Sequence, residues 1–193
     1  SDQNITFEKI ITLDENYLFS VDQRVINNSG LSFDLYPYGL SKRQGVPEMQ
    51  NFFILHEGPL SITDGVLEEY DYDDLKDDKK IKHSSVGGWI GMTDKYWQTA
   101  IIPNQNEPVQ QTYSYSFVDN IDNFQTDIVG ERIAVSNNAS ISHNFKIFAG
   151  PKIVNIIDRY MEEYGFDGFD RSVDFGWFYF LTKPIFNVLE FIY

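Results

Sequence analysis

The chain has 193 residues, of which 42% are apolar and 16% aromatic, a composition typical of one folded domain with at most a short appendage. Its formal net charge of −14 argues against nucleic acid as a partner, because phosphate binding depends on Lys and Arg, and against broad adsorption to an anionic membrane. No cysteine is present, which excludes disulfides and thiolate zinc sites.

The first two-thirds of the sequence predict β-structure. Apolar and polar side chains alternate with a period of two from Tyr17 to Val25, with Leu18 on the mostly polar face. The same alternation recurs at residues 31–35 and 141–149. Strands buried on both faces are predicted by apolar runs at residues 52–55, 89–92 and 100–102. Turns are predicted at residues 28–30, 58–59, 64–65, 87–88 and 103–104. We expect an antiparallel β-sandwich over residues 1–150.

Residues 64–80 are acidic, with eight carboxylates and three lysines. We interpret this stretch as a solvated hairpin and loop. An EF-hand is excluded because Leu75 occupies the ligand position that follows Asp71 and Asp73, and no glycine comes after it. A looser ion site remains an alternative.

The period changes after Gly150, where an amphipathic helix is predicted. Pro151 suits the first helical position and Gly165 suits the residue that ends a helix. Apolar side chains recur at spacings of three and four: Ile153, Val154, Ile156, Ile157, Tyr160, Met161 and Tyr164. We expect this apolar stripe to pack on the sandwich, with a groove for a partner as the alternative, and we assign residues 151–174 to this helix and a linker.

Residues 175–193 are strongly aromatic: eight of the nineteen side chains are Phe, Trp or Tyr. The unbroken apolar run at residues 175–181 is too short to cross a bilayer, and Lys183 and Glu190 would be costly at its centre. A helix opened by Pro184 would be buried either in the core or at a bilayer interface. We predict an interfacial segment that leads to a membrane helix outside this chain. The predicted membrane-interface residues are Trp177, Phe178, Phe180, Lys183, Phe186, Leu189, Phe191 and Ile192.

The sequence carries no arrangement typical of catalysis or of metal binding. His56 is followed by Glu57 but lacks the second histidine of a zincin motif, because position 60 is Leu60. His143 lies on the apolar phase of its strand, where a packed, hydrogen-bonded histidine is expected. There is no serine nucleophile motif and no glycine-rich phosphate loop. We expect no enzyme activity, no catalytic residue, no metal and no cofactor.

Four blocks of the sequence resemble the YidC insertase family, especially its alphaproteobacterial members. They are F-I-L-H-E-G-P-L at 53–60, G-G-W-I-G-M-T-D-K-Y-W at 87–97, F-A-G-P-K at 148–152 and F-D-R-S-V-D-F-G-W-F-Y-F-L-T-K-P at 169–184. The last block is the most specific, because an aromatic cluster leads into Lys-Pro. The resemblance is thin from 104 to 138 and in the acidic stretch.

The resemblance implies a periplasmic β-supersandwich similar to galactose mutarotase, closed by C-terminal α-helices, in a protein of the bacterial inner membrane. It implies an accessory role in membrane protein insertion and folding, through partner docking and positioning of the interfacial helix at residues 183–193. The implied partners are nascent inner-membrane proteins and the Sec translocon, including SecD and SecF. A carbohydrate-binding or mutarotase-like domain is the alternative, since fold alone does not establish function.

Overall fold

A computed structural model describes residues 4–47 and 56–173 of the chain. The strands are β1 (Ile5–Leu13), β2 (Leu18–Asn27), β3 (Phe33–Leu35), β4 (Tyr38–Gln44), β5 (Gly58–Thr63), β6 (Val66–Glu69), β7 (Lys80–Val86), β8 (Trp89–Thr93), β9 (Trp97–Ile102), β10 (Pro108–Val118), β11 (Ile121–Gly130), β12 (Ile133–Val135) and β13 (Ala139–Pro151). The helices are α1 (Tyr72–Asp78), α2 (Val154–Tyr164) and a 3₁₀ turn at Phe169–Ser172.

The strands form two main antiparallel sheets and a small third one. The large sheet has seven strands in the order β1-β2-β13-β9-β8-β5-β6. The second sheet has the order β4-β11-β10-β7, and β12 pairs with β3. Strand β13, the third in this order, is the longest strand and pairs on both of its sides. Its residue Ile147 lies opposite Phe19 of β2 and opposite Ile101 of β9. The predicted mainly β, antiparallel architecture with C-terminal helices is confirmed.

Between its two edge strands, the large sheet is buried on both faces. Its inner face packs against the second sheet, with Val21, Ile90 and Phe124 in one buried cluster. Its outer face is covered by α2 and the 3₁₀ turn, with Leu18 and Trp89 in a second cluster. Consecutive strand residues therefore enter different cores, as the neighbours Trp89 and Ile90 do, because their side chains point to opposite faces.

This two-sided burial corrects part of the predicted pattern in β2. Leu18, predicted on a mostly polar face, is only 3% exposed because α2 covers that face. Tyr17, predicted as an apolar-face residue, is exposed and precedes the strand with a φ of 72°. The strand predicted at residues 31–35 is shorter than expected, since Leu31 is exposed and β3 begins at Phe33.

Two predicted boundaries are wrong: the turn predicted at residues 58–59 and the helix start predicted at Pro151 both lie in strands. Gly58 lies inside β5, where a Cβ would meet the carbonyl oxygen of Tyr70 at 2.7 Å, so close backbone approach explains the glycine. Pro151 is the last residue of β13, and α2 begins at Val154. The predicted helix end is confirmed: Gly165 follows α2 with a φ of 67°.

The acidic stretch begins with the predicted hairpin, in which β5 and β6 pair on either side of Asp64 and Gly65, but helix α1 follows where a loop was predicted. In α1, the side chains of Tyr72 and Leu75 are almost completely buried in the cluster between the two main sheets. They lie three residues apart and therefore on one face of the helix. The backbone N–H of Asp71 donates to Asp74 Oδ2 at 3.2 Å, which caps the first turn. The other acidic side chains lie on the solvated face, as their charge requires.

Most of the apolar stripe predicted for α2 packs on the sandwich, but Ile153, which precedes the helix, and Tyr164 are exposed. Val154, Ile157 and Tyr160 are its buried residues, and the outer-face cluster continues through Phe166 and Phe169. The strand predicted at residues 52–55 lies outside the described residues. Across the ranges that the structure covers, no helix is long and apolar enough to cross a membrane.

Candidate functional site

A cleft opens on the inner face of β1, β2 and β13. Its opposite wall is formed by the chain from Leu35 of β3 to Tyr38 of β4 and by Ile133 of β12. The cleft has a volume of about 420 Å³, and a neighbouring hollow of about 280 Å³ shares Phe7, Val25 and Leu35 with it. The residues lining the cleft are Phe7, Glu8, Lys9, Gln23, Arg24, Val25, Leu35, Tyr36, Pro37, Tyr38, Ile133, Ile141 and His143.

The cleft combines an apolar floor with a few polar groups. Gln23 Nε2 donates to the carbonyl oxygen of Tyr38 at 3.3 Å, which ties its two walls together. Burial and the neighbouring Asp127 carboxylate raise the pKa of Tyr38, despite a hydrogen bond from Gln125. This hydroxyl lies on the face of β4 that points away from the large sheet, because the adjacent Gly39 faces Ile101 and Phe145. Such a mixture suits a ligand with apolar faces and a small number of hydrogen-bonding groups.

The three histidines contact different partners. His143 lines the cleft, and its Nε2 lies 3.0 Å from Glu107 Oε2, which agrees with the expected packed, hydrogen-bonded histidine. His56 contacts the carbonyl oxygen of Pro59, and His83 contacts the hydroxyl of Tyr70. In residues 4–47 and 56–173, no three His, Cys, Asp or Glu side chains come together as a metal site.

All eight predicted membrane-interface residues, from Trp177 to Ile192, lie outside the described residues. What the structure does describe is how the chain reaches them. Phe169 is fully buried, and Arg171 Nη1 donates to the carbonyl oxygen of Gly65 at 2.6 Å. Trp89 Nε1 donates to the carbonyl oxygen of Asp167 at 3.1 Å. These contacts hold the 3₁₀ turn beside the β5–β6 turn.

The two outer ends of the described chain lie at the same end of the large sheet. Because its neighbouring strands are antiparallel, β2, β9 and β5 all run in one direction. Asn28, just after β2, donates its N–H to the carbonyl oxygen of Asn4 at 2.8 Å. Arg171 contacts Gly65, just after β5. Asn4 and Arg171 are therefore both placed where these parallel-running strands finish.

The fold, the cleft and the helix that closes the outer face define a β-sandwich domain of the galactose-mutarotase type. The structure is similar to that of a galactose mutarotase related enzyme from Lactobacillus acidophilus, with a TM-score of 0.52 and 11% identity over 75% of this chain and 61% of that one. At this identity the likeness concerns the fold alone.

The sequence identifies the family. Residues 1–188 match the family described as the YidC periplasmic domain, and the chain belongs to it. It is 39% identical over 194 residues to the membrane protein insertase YidC of Rickettsia canadensis (strain McKiel), and 38% identical to that of Rickettsia bellii (strain OSU 85-389). Each alignment covers all of this chain and 35% of the relative, so the chain spans about a third of these proteins' length. The predicted family resemblance is confirmed.

Proposed function

We propose that this chain is the periplasmic domain of a membrane protein insertase of the bacterial inner membrane. Its role is accessory: it docks partners and positions an interfacial helix for insertion and folding of inner-membrane proteins. Family membership supports the insertase assignment. The observation that carries the accessory role is the burial of Phe169 and the anchoring of Arg171 directly before the aromatic segment 175–193.

The positions of Asn4 and Arg171 also support this arrangement. Both residues lie at the same end of the large sheet, which suits a domain that approaches the membrane with that end. Insertion requires a polar path for hydrophilic segments across hydrocarbon and involves no covalent step, so the domain needs no nucleophile for this role. A segment such as residues 175–193 can bind at the interface through apolar burial of about 25 cal/mol per Å², without basic residues.

The proposed roles divide the chain into three parts. We assign residues 1–150 to the β-supersandwich, residues 151–174 to the helix and linker packed on it, and residues 175–193 to the interfacial segment. The proposed membrane contacts are the eight residues named above, from Trp177 to Ile192. The proposed partners are nascent inner-membrane proteins and the Sec translocon with SecD and SecF.

Vesicle flotation tests the membrane contact. The full chain should float with phosphatidylcholine vesicles, and a chain without residues 177–193 should stay at the bottom of the gradient. Phe117→Ser is the matched control, because Phe117 is an exposed aromatic residue on the distant β10–β11 hairpin, and it should float like the unaltered chain. Equal flotation of the full and shortened chains would contradict the proposal. Binding to purified SecD and SecF tests the partner assignment separately.

A carbohydrate-binding domain is the second candidate, and the cleft is the observation that favours it. Its lining includes the exposed aromatic residues Phe7 and Tyr36, which is typical of surfaces that bind sugar rings. A mutarotase also needs an acid and a base on opposite sides of the sugar, whereas His143 and Glu107 are hydrogen-bonded to each other. Calorimetry with hexoses and glycan fragments decides this: binding heat that is lost in a Tyr36→Ala variant would favour it, and no heat would exclude it.

A further inference from the structure

Three polar side chains lie side by side on the inner face of the large sheet, where the core gives way to the cleft. Lys9 of β1 is opposite Gln23 of β2, and Gln23 is opposite His143 of β13. We call these three residues the polar row. The rows on either side of it are apolar, with Ile11, Val21 and Phe145 on the core side and Phe7, Val25 and Ile141 in the cleft.

Within the polar row, Lys9 keeps its charge available to a ligand. Gln23 Nε2 donates to the carbonyl oxygen of Tyr38, and His143 Nε2 lies 3.0 Å from Glu107 Oε2. In contrast, the exposed Lys9 ammonium forms no ion pair with any carboxylate in residues 4–47 and 56–173. One end of the cleft therefore offers a free positive charge.

The charges around the cleft differ from the net charge of the whole chain. Besides Lys9, the charged residues that line it are Glu8 and Arg24, which lie 3.6 Å apart and balance each other. Glu107 lies beyond His143, two strand spacings or about 10 Å from Lys9, so that salt screens much of its charge. The acidic stretch at 64–80 contributes no residue to the lining. An anionic group is therefore favoured here, although the chain as a whole is acidic.

The neighbouring hollow offers no free polar side chain. It adjoins the cleft at Phe7, Val25 and Leu35, and its other walls are Ile5, Asn27, Phe33 and Val135. The Asn27 amide is fully used by the chain: its Nδ2 donates to the carbonyl oxygens of Leu31, Val135 and Ser136, and its Oδ1 accepts from the Ser29 hydroxyl. A sugar hydroxyl placed here would meet no free polar side chain, whereas a hydrocarbon chain needs none.

The two cavities together define an elongated occupant. They follow the inner face of β1 from Lys9 to Ile5, a distance of about 13 Å at about 3.3 Å per strand residue. The cleft volume of about 420 Å³ is typical of small-molecule sites. The occupant that fits is apolar along most of its length and negatively charged at one end.

We propose that the cleft and the hollow bind a straight-chain fatty-acid carboxylate. Its hydrocarbon chain lies between Phe7 and Leu35, and its carboxylate lies beside the Lys9 ammonium. The inference goes beyond the proposed function and does not depend on it, because it uses only residues of the sandwich. It also differs from the carbohydrate candidate, because it predicts that hexoses do not bind.

Calorimetric titration of the full chain tests the class of ligand. Dodecanoate, kept below its critical micelle concentration, should bind at one site. Affinity should rise about threefold to fourfold with each methylene from octanoate to dodecanoate, because each added group is buried in the apolar hollow. Octanoate should bind more tightly than octanol, although octanol is the more apolar of the two, because only the carboxylate can pair with Lys9.

Two substitutions test the proposed ends of the ligand. Lys9→Met keeps an apolar stem but removes the charge, and it should weaken dodecanoate binding about threefold to tenfold while leaving octanol binding unchanged. The matched control is Lys42→Met, because Lys42 is an exposed lysine on the face of β4 that points away from the large sheet. Leu35→Glu places a carboxylate where the two cavities adjoin and should abolish binding. Thermal unfolding verifies that each variant is folded.

The inference is overturned if dodecanoate does not bind, if Lys9→Met binds it as tightly as Lys42→Met does, or if affinity is independent of chain length. Hexose binding that dodecanoate displaces would also overturn it, in favour of the carbohydrate candidate. Variants that lack residues 177–193, or that carry a glycine-serine linker in place of residues 48–55, should bind dodecanoate like the full chain. Tighter binding by either variant would show that the chain's own segment occupies the cavities, which would contradict the inference.

Discussion

Replacing Phe169 with alanine tests whether the 3₁₀ turn fixes the C-terminal segment to the sandwich. The Phe169 ring is fully buried and meets Phe148, Trp89 and Phe166 edge-on, with centroid distances of 5.5, 5.6 and 5.7 Å. It is thus the point where the outer face of the large sheet, the end of α2 and the start of the last segment come together. Its removal leaves a cavity in that contact.

The expected cost is about 3–5 kcal/mol, the usual range for truncating a buried phenylalanine. Three edge-on aromatic contacts, each contributing about 0.5–1.5 kcal/mol beyond area burial, favour the upper half of that range. The cavity lies near the end of the described chain, so the protein can also respond by releasing residues 165–173 locally. The free energy of that local release then sets the upper limit of the loss.

The assay compares Phe169→Ala with Phe124→Ala. Phe124 is equally buried but packs between the two sheets, 4.7 Å from the Tyr72 ring. Urea unfolding measures the cost of each substitution, and trypsin cleavage after Arg171 measures release of the turn. We expect Phe169→Ala alone to accelerate that cleavage beyond the amount explained by global unfolding, and to weaken vesicle flotation although residues 175–193 are intact. A cost below about 1 kcal/mol, or equal cleavage in both variants, would refute the idea that Phe169 holds the segment.

Three further substitutions probe the sandwich itself. Burial acts to raise the pKa of Asp14, but hydrogen bonds, led by that from the Tyr160 hydroxyl, outweigh it and hold the pKa below 3.8. The stability that Asp14 adds over an Asp14→Asn variant is therefore present at neutral pH and is lost as the pH falls below 3.8. Urea unfolding of both proteins at several pH values measures this loss. Gly91→Ala should cost at least about 3 kcal/mol in thermal unfolding, because a Cβ there would lie 1.8 Å from the carbonyl oxygen of Thr99. Gln111→Leu should cost about 1–3 kcal/mol in urea unfolding, because it leaves a buried strand carbonyl and a buried hydroxyl without their amide partner.

The sequence predicts those strands whose environment matches a simple period. Residues 89–92 and 100–102 were predicted as buried strands because both faces of β8 and β9 are covered, and the structure confirms them. In β2 the same period gives a wrong prediction for Leu18. This residue is the one apolar side chain on a polar face, and no nearby residue indicates that a helix covers it. Helix α1 escapes prediction because its buried face consists of only Tyr72 and Leu75.

The cleft could not be predicted from the sequence. Its lining comes from strands that are far apart in the chain, such as β1 with Phe7 and β13 with His143, and these residues become neighbours only through the strand order. The polar row of Lys9, Gln23 and His143 depends on the same order, since its members lie on three different strands. The membrane-interface residues from Trp177 to Ile192 were predicted from composition and remain a prediction.

Two of the four sequence blocks that indicate the family lie in the interior of the large sheet. The blocks at 87–97 and 148–152 meet where Trp97 lies opposite Pro151. Their glycines are required by close approach: a Cβ on Gly150 would lie 2.6 Å from the Cβ of Tyr17. Trp89 in the first block is completely buried. A match in these blocks therefore indicates that a chain can pack this sheet on both faces, and it carries no information on partners. Partner recognition has to be sought in exposed residues such as Phe7, where packing sets no requirement and an apolar side chain needs another explanation.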